Sequence, residues 1–190
     1  MKRLIAYDFD GTLMDSPEPN PGKEIWKEKT GQEYPHKGWW GRKESLNTDI
    51  FEINTFPTIL NQLKQDVADS NAHVIILTSR LEKLRPEVEK IMKKHNINVD
   101  AIVMKSGPID KGDILLNYAK NNSDLEEITI YDDFANGQKH KIEELTKIKE
   151  ILPNNIQYNI YYVKDGKFRL MESTNHLKEM IFEEMIKFKS

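Results

Sequence analysis

The 190-residue sequence has no cysteine, which removes disulfides, thiolate zinc sites and cysteine nucleophiles together. Any metal bound here must be held by oxygen or imidazole. Long apolar runs are also missing, and none approaches the length that crosses a bilayer. Met1, Lys2 and Arg3 lead straight into a short strand-like segment without a signal-peptide pattern, so the expected setting is cytoplasmic, with no membrane partner. A large excess of one charge is absent as well. The formal net charge of −3 gives no overall attraction to nucleic acid or anionic lipid, and any polynucleotide contact would rest on a local basic patch. No internal repeat or low-complexity tract stands out. The hydrophobic fraction of 38% is low and the charged fraction of 31% is high, but the apolar residues are gathered in runs, as in a packed protein.

Five of those runs are short, rich in Ile, Val, Leu and Tyr, and bounded by polar or turn-forming residues, which predicts buried strands. They cover Leu4–Phe9, His73–Leu77, Ala101–Met104, Glu127–Tyr131 and Gln157–Val163. Helical spacing falls between them, over Thr58–Ala68, Arg85–His95, Lys111–Asn121 and Gln138–Ile151. A further amphipathic helix is expected over Asn175–Lys189, with Ile181, Met185 and Ile186 on one side. Alternating strands and helices predict an α/β fold, a mostly parallel sheet with helices on both faces. The length favours one domain over residues 1–190. The stretch from Met14 to Phe56 breaks the alternation: it carries four prolines and the Trp39–Trp40 pair and shows no clean period. Connections this long in a compact domain are usually functional, and aromatics argue against disorder, so a folded insertion beside the active site is expected.

Four groups of polar residues stand at the ends of predicted strands or open the helix that follows. Asp8 and Asp10 follow Leu4–Tyr7 directly, and Gly11 lets the chain turn away, so both carboxylates can approach one ligand. Ligands gather at the carboxyl ends of parallel strands, which makes this edge the chemical one. Thr78, Ser79 and Arg80 end the run His73–Leu77; a hydroxyl and a backbone N–H there suit a phosphate oxygen. Arg80 fits either a bidentate phosphate contact or a salt bridge that positions the loop. Lys111 opens an apolar-periodic helix after Asp110, a candidate N-cap, and a lysine there opposes the helix dipole unless an anion is near. Lys105, at its own strand end, is the alternative for the same role. Asp132 and Asp133 follow Ile128–Tyr131; acids crowded toward other carboxylates call for a cation, and magnesium takes oxygen ligands.

These motifs resemble those of the haloacid dehalogenase superfamily: an Asp-x-Asp pair (Asp8, Asp10), a strand-end hydroxyl (Thr78), a lysine (Lys111) and an acidic pair (Asp132, Asp133). The likeness runs from the first strand to Asp133. It implies a Rossmann-like fold with a small cap or none, and a phosphatase that uses Asp8 as nucleophile and Asp10 as general acid and then base. It also implies Mg2+ held by Asp8, the Asp10 backbone carbonyl and Asp132, with Asp133 nearby, and phosphoryl oxygens held by Thr78, Ser79, Arg80 and Lys111.

A narrower resemblance, to the phosphatase-type domain of Swiss army knife RNA repair proteins, rests on Ser16–Pro21, Trp26, Gly38–Trp40, Ser45, Leu46 and on His140 downstream of the acidic pair. Phe134 departs from it, standing where that group tends to have an arginine. The Thr78–Arg80 pattern is similar to that of polynucleotide 3′-phosphatases. A nucleic-acid end or a nucleotide is therefore one expected substrate; a small metabolic phosphate, or no turnover at all in a phosphate-binding module, are the alternatives. Trp39 and Trp40 are candidates to stack a base, but anchoring the insertion to the core is the favoured reading, because buried tryptophan mostly serves packing. Arg42 and Lys43 are candidates to meet a backbone phosphate, or are solvated charges.

Overall fold

The computed structural model describes residues 1–134 and 138–171. Strand β1 (Arg3–Tyr7) is buried on both faces. Ile5 and Tyr7 enter one apolar cluster, while Leu4 and Ala6 enter the other. An apolar run without polar alternation is what a strand covered on both sides requires. Around β1 the sheet builds outward from β4 (Ala72–Leu81), β5 (Ala101–Lys105), β6 (Glu127–Asp132), β7 (Gln157–Lys164) and β8 (Lys167–Leu170). The order is β5-β4-β1-β6-β7-β8, parallel throughout except for the antiparallel β7–β8 pair.

Helices α2 (Pro57–Ala68) and α3 (Arg85–Lys94) cover one face of the sheet, burying Ile59, Leu63, Val88, Ile91 and Met92. Helices α4 (Lys111–Asn121) and α5 (Lys139–Ile151) cover the other with Leu115, Ile142, Leu145 and Ile148. The α/β architecture expected from the alternation is the one found. Among the described residues no helix is long and apolar enough to cross a membrane. The helix expected over Asn175–Lys189 lies outside the described residues.

Three features differ from the sequence reading. Strand β4 runs to Leu81 rather than Leu77, because its register with β5 shifts between Thr78 and Leu81; such a bulge keeps the chain extended while re-aiming side chains. Strand β8 was not expected. It is made by Asp165 and Gly166, both at positive φ (48° and 71°), a two-residue Asp-Gly turn that folds the chain back on β7. Within the insertion, short strands β2 (Met14–Asp15) and β3 (Asn54–Thr55) pair antiparallel and tie its ends together, and helix α1 (Pro19–Thr30) lies between them. Its one buried residue is Gly22, so the helix has no apolar stripe for periodicity to detect.

The insertion shares the core of the sheet: Trp39, Leu46, Phe51 and Ile53 lie in the same cluster as Ile5 and Tyr7. Trp39 is only 4% exposed. Its Nε1 donates to the Pro17 carbonyl at 2.9 Å, and its ring lies 5.0 Å from Tyr34 and 5.5 Å from Phe51. It presses on Gly22 so closely that a Cβ there would come within 2.2 Å of the ring. Of its two readings, Trp39 takes that of an anchor, whereas Trp40 is 39% exposed. Trp39→Ala is therefore expected to cost about 3–5 kcal/mol in urea denaturation, as large aromatic truncations in cores do. Trp40→Ala should cost less than half as much.

Candidate active site

Register brings the acids together. Tyr7 pairs with Ile76 of β4 and with Tyr131 of β6, so the residues that follow leave the sheet at one edge. The Asp8 N–H still donates to the Tyr131 carbonyl at 2.9 Å, which holds the first carboxylate beside Asp132. Asp8, Asp132 and Asp133 each offer a carboxylate oxygen within 4.8 Å of the others. Gly11 makes this possible. It adopts φ +69°, and a Cβ on it would lie 2.4 Å from Asp133 Oδ2.

Two buried cations sit among these acids. Lys111 Nζ lies 2.9 Å from Asp8 Oδ1 and 2.6 Å from Asp132 Oδ2. Burial alone would lower its pKa, but the charges of Asp132 and Asp8 more than reverse that, and the ammonium is held protonated. Burial pushes the Asp8 carboxyl well up; Lys111 opposes this, and the nearby Asp132 and Asp133 charges add to it. Asp132 is fixed at both oxygens, since Oδ1 accepts the Phe134 N–H at 2.6 Å. Phe134 reaches that position at φ 53°, fully buried, with its ring stacked 6.0 Å from Tyr162.

The second cation is Arg80, whose side chain is 1% exposed. Its Nε and Nη2 each donate to Asp10 at 2.8 Å, a two-bonded pair. Its Nη1 donates to the Trp40 carbonyl at 2.8 Å and to Ser45 Oγ at 2.6 Å. The guanidinium carbon also lies 4.8 Å from the centre of the Trp40 ring. Arg80 thus forms the salt bridge that positions a loop, and it joins the insertion to Asp10. Thr78 is buried, and its Oγ1 accepts the Arg80 N–H at 3.1 Å.

These residues line a cleft of about 270 Å3 that contains Asp8, Asp10, Thr78, Ser79, Arg80, Lys111, Asp132, Asp133 and Trp40. Lys105 is exposed at the end of β5 and lies outside it, so Lys111 is the lysine that reaches the acids. Trp39 and Arg42 do not line it either; Arg42 is exposed and borders a separate groove. His140 is exposed and also absent from the lining.

Further lining residues carry no local sequence signal: Glu18, and Gln138, Lys141, Glu144 and Leu145 of α5 and its approach. Glu144 Oε1 accepts the Lys111 N–H at 3.1 Å, while Asp110 accepts the Asp113 N–H at 2.9 Å, so two acids cap the first turn of α4. Only the Asp110 cap has a local signal, because Glu144 arrives from 33 residues away.

The donor set fits a hard divalent cation. Three carboxylates face the single Lys111 charge, all the ligand atoms are oxygen, and magnesium prefers such a site.

No family model matches the chain, and no curated protein matches it in sequence. Solved structures do match. The Legionella pneumophila effector Ceg4 is similar at a TM-score of 0.54 and 13% identity, covering 94% of this chain and 92% of its own. That likeness shows the fold. The HAD domain of the L. pneumophila effector Lem4 follows at 0.46 and 14% identity, covering 98% and 94%. A haloacid dehalogenase-like hydrolase, SP0104 from Streptococcus pneumoniae, stands at 0.45 and 18%, covering 82% of each chain.

Removing one partner of a buried ion pair leaves the other charge uncompensated. Arg80→Ala should therefore cost about 3–5 kcal/mol. In a double-mutant cycle with Asp10→Ala, the two losses should fall short of adding by 1 kcal/mol or more, on the order expected of residues in direct contact. Additive losses would show that the pair contributes nothing to the fold.

Proposed function

We propose that the chain is a magnesium-dependent phosphomonoesterase of the haloacid dehalogenase type that works through an aspartyl-phosphate on Asp8. The observation that carries this reading is the convergence, in one cleft, of Asp8, Asp10, Thr78, Lys111, Asp132 and Asp133 from three neighbouring strands and the start of a helix.

Lys111 and the Phe9 N–H (2.8 Å) both approach Asp8 Oδ1, which leaves Oδ2 for attack on phosphorus. As the new P–O bond forms, the ester P–O bond breaks, and Asp10 gives its proton to the departing oxygen. A water then attacks the phosphoaspartate, Asp10 takes the water proton, and Asp8 is restored as inorganic phosphate leaves. To act as the acid, Asp10 first gives up one of its two Arg80 bonds and takes a proton from solvent on the freed oxygen, while the other bond keeps the carboxyl aimed. Thr78 and the neighbouring backbone N–H groups hold the phosphoryl oxygens. Asp8, Asp132, Asp133 and the Asp10 carbonyl would hold Mg2+, whose chemistry there is to offset the charge of phosphate and carboxylates.

The substrate in this reading is a nucleic-acid 3′-phosphate end. Trp40, exposed at the cleft beside Asp10 and Arg80, supports it as a platform for a terminal base.

Phosphate release should be measured with Mg2+ and with chelator on a 3′-phosphorylated oligonucleotide, a 5′-phosphorylated one, mononucleotides and sugar phosphates. The expected result is metal-dependent release, fastest from the 3′-phosphorylated oligonucleotide, lowered by a factor on the order of a thousand or more in Asp8→Asn. Fastest release from sugar phosphates would keep the chemistry and replace the substrate. No release from any of them would leave a phosphate-binding module.

A further inference from the structure

The cleft has no cation to spare for a second phosphate. Six acids line it against three bases among the described residues, and each base is committed: Arg80 to Asp10, Lys111 to Asp8 and Asp132, Lys141 to Glu144 at 3.4 Å. A substrate with further phosphates must carry them elsewhere.

Two backbone segments leave the cleft side by side. One runs from Trp40 through Gly41 to Arg42 and Lys43; the other runs from Arg80 through Leu81 to Lys83. They touch where a Cβ on Gly41 would lie 3.4 Å from Leu81 Cδ1. Beyond this contact lie two adjoining shallow grooves of about 250 and 480 Å3, both bordered by Lys43, Glu44 and Glu87. Arg42 and Lys83 border the first and Lys90 the second, and all four cations are exposed. None of the four makes an ion pair among the described residues. Of the two acids in the grooves, Glu44 lies 3.3 Å from His36 and also feels the Lys43 charge. At the start of the strip, Trp40 and Leu81 are large exposed apolar side chains (39% and 38%). A ring for stacking followed by exposed cations without a close ion pair is the chemistry that single-stranded nucleic acid selects.

We infer that Trp40, Arg42, Lys43, Lys83 and Lys90 form a binding path for the phosphodiester chain of a single-stranded nucleic acid whose phosphorylated end occupies the cleft. The path rests on the phosphomonoesterase reading for its direction. It specifies the partner as a polymer several nucleotides long rather than a mononucleotide.

The test compares wild type with Lys43→Glu/Lys83→Glu in two measurements. In the first, anisotropy of a labelled 3′-phosphorylated single-stranded decamer is followed across a potassium chloride series, with polyglutamate as competitor. The charge reversal should weaken binding at least tenfold and make the log K against log salt slope shallower by about 0.7 for each lost phosphate contact. In the second, kcat/KM is measured on the decamer and on p-nitrophenyl phosphate, and the loss on the decamer should exceed that on the small ester at least fivefold. Equal binding by both proteins, or displacement of the decamer by polyglutamate at equal charge, would overturn the path. Equal losses on the two substrates would do the same. A wild type that binds the decamer through the strip but releases no phosphate would overturn the phosphomonoesterase reading and leave the path standing.

Discussion

Four carboxylates brought to one edge of a sheet repel one another, and the structure depends on the two buried cations that offset this. Two like charges 4 Å apart oppose each other by about 4 kcal/mol even at an effective dielectric of 20. Lys111 bridges Asp8 and Asp132, and Arg80 binds Asp10 at both oxygens. Each cation needs its own piece of architecture. Lys111 enters on the first turn of α4, whose free N–H groups are met by Asp110 and Glu144, so α5 must pack where Glu144 can reach. Arg80 enters through the register shift in β4, which carries the strand past Thr78. Bulge, cap and helix packing are thus conditions for the acids to share a cleft.

Arg80 also determines the shape of that cleft. The guanidinium that holds Asp10 bonds the Trp40 carbonyl and Ser45 Oγ and lies under the Trp40 ring. Asp10 and the exposed aromatic are consequently joined through one guanidinium. Trp39 fixes the same insertion from behind, through Gly22 and Phe51. The adjacent tryptophans divide the work: one is packed into the core and the other faces the cleft.

Much of this was legible in the sequence. Apolar runs marked the strands from β1 to β7 in the main sheet, and the strand-end acids and Lys111 were found because their signals are local. What escaped was either non-local or lacked an apolar pattern. Helix α1 buries only a glycine, so no stripe announced it. Glu144 and Lys141 join the site by tertiary packing alone. The β7–β8 hairpin did carry a local signal, Asp165–Gly166 between Tyr161–Lys164 and Lys167–Leu170, and an Asp-Gly turn search would have found it. The position of Lys111 against the helix dipole suggested a nearby anion. The structure supplies carboxylates of the protein itself, Asp8 and Asp132 at its ammonium and Glu144 at its N–H. A lysine in a first turn therefore signals negative charge without identifying whose it is.

The same distinction applies to Gly11, usually read after an Asp-x-Asp pair as a residue that merely lets the chain turn. Its φ of +69° is consistent with that, but the tighter constraint is steric. A Cβ at this position would fall 2.4 Å from Asp133 Oδ2 and 2.9 Å from its Cγ. The loop that leaves β1 is pressed onto the carboxylate that follows β6, so the first and last motifs are in contact across the sheet edge. Any side chain at Gly11 would displace Asp133 from the three-carboxylate group or push Asp10 away from Arg80. The glycine therefore sets the distance between the two acidic motifs, and with it the space available to a cation and a phosphate between them.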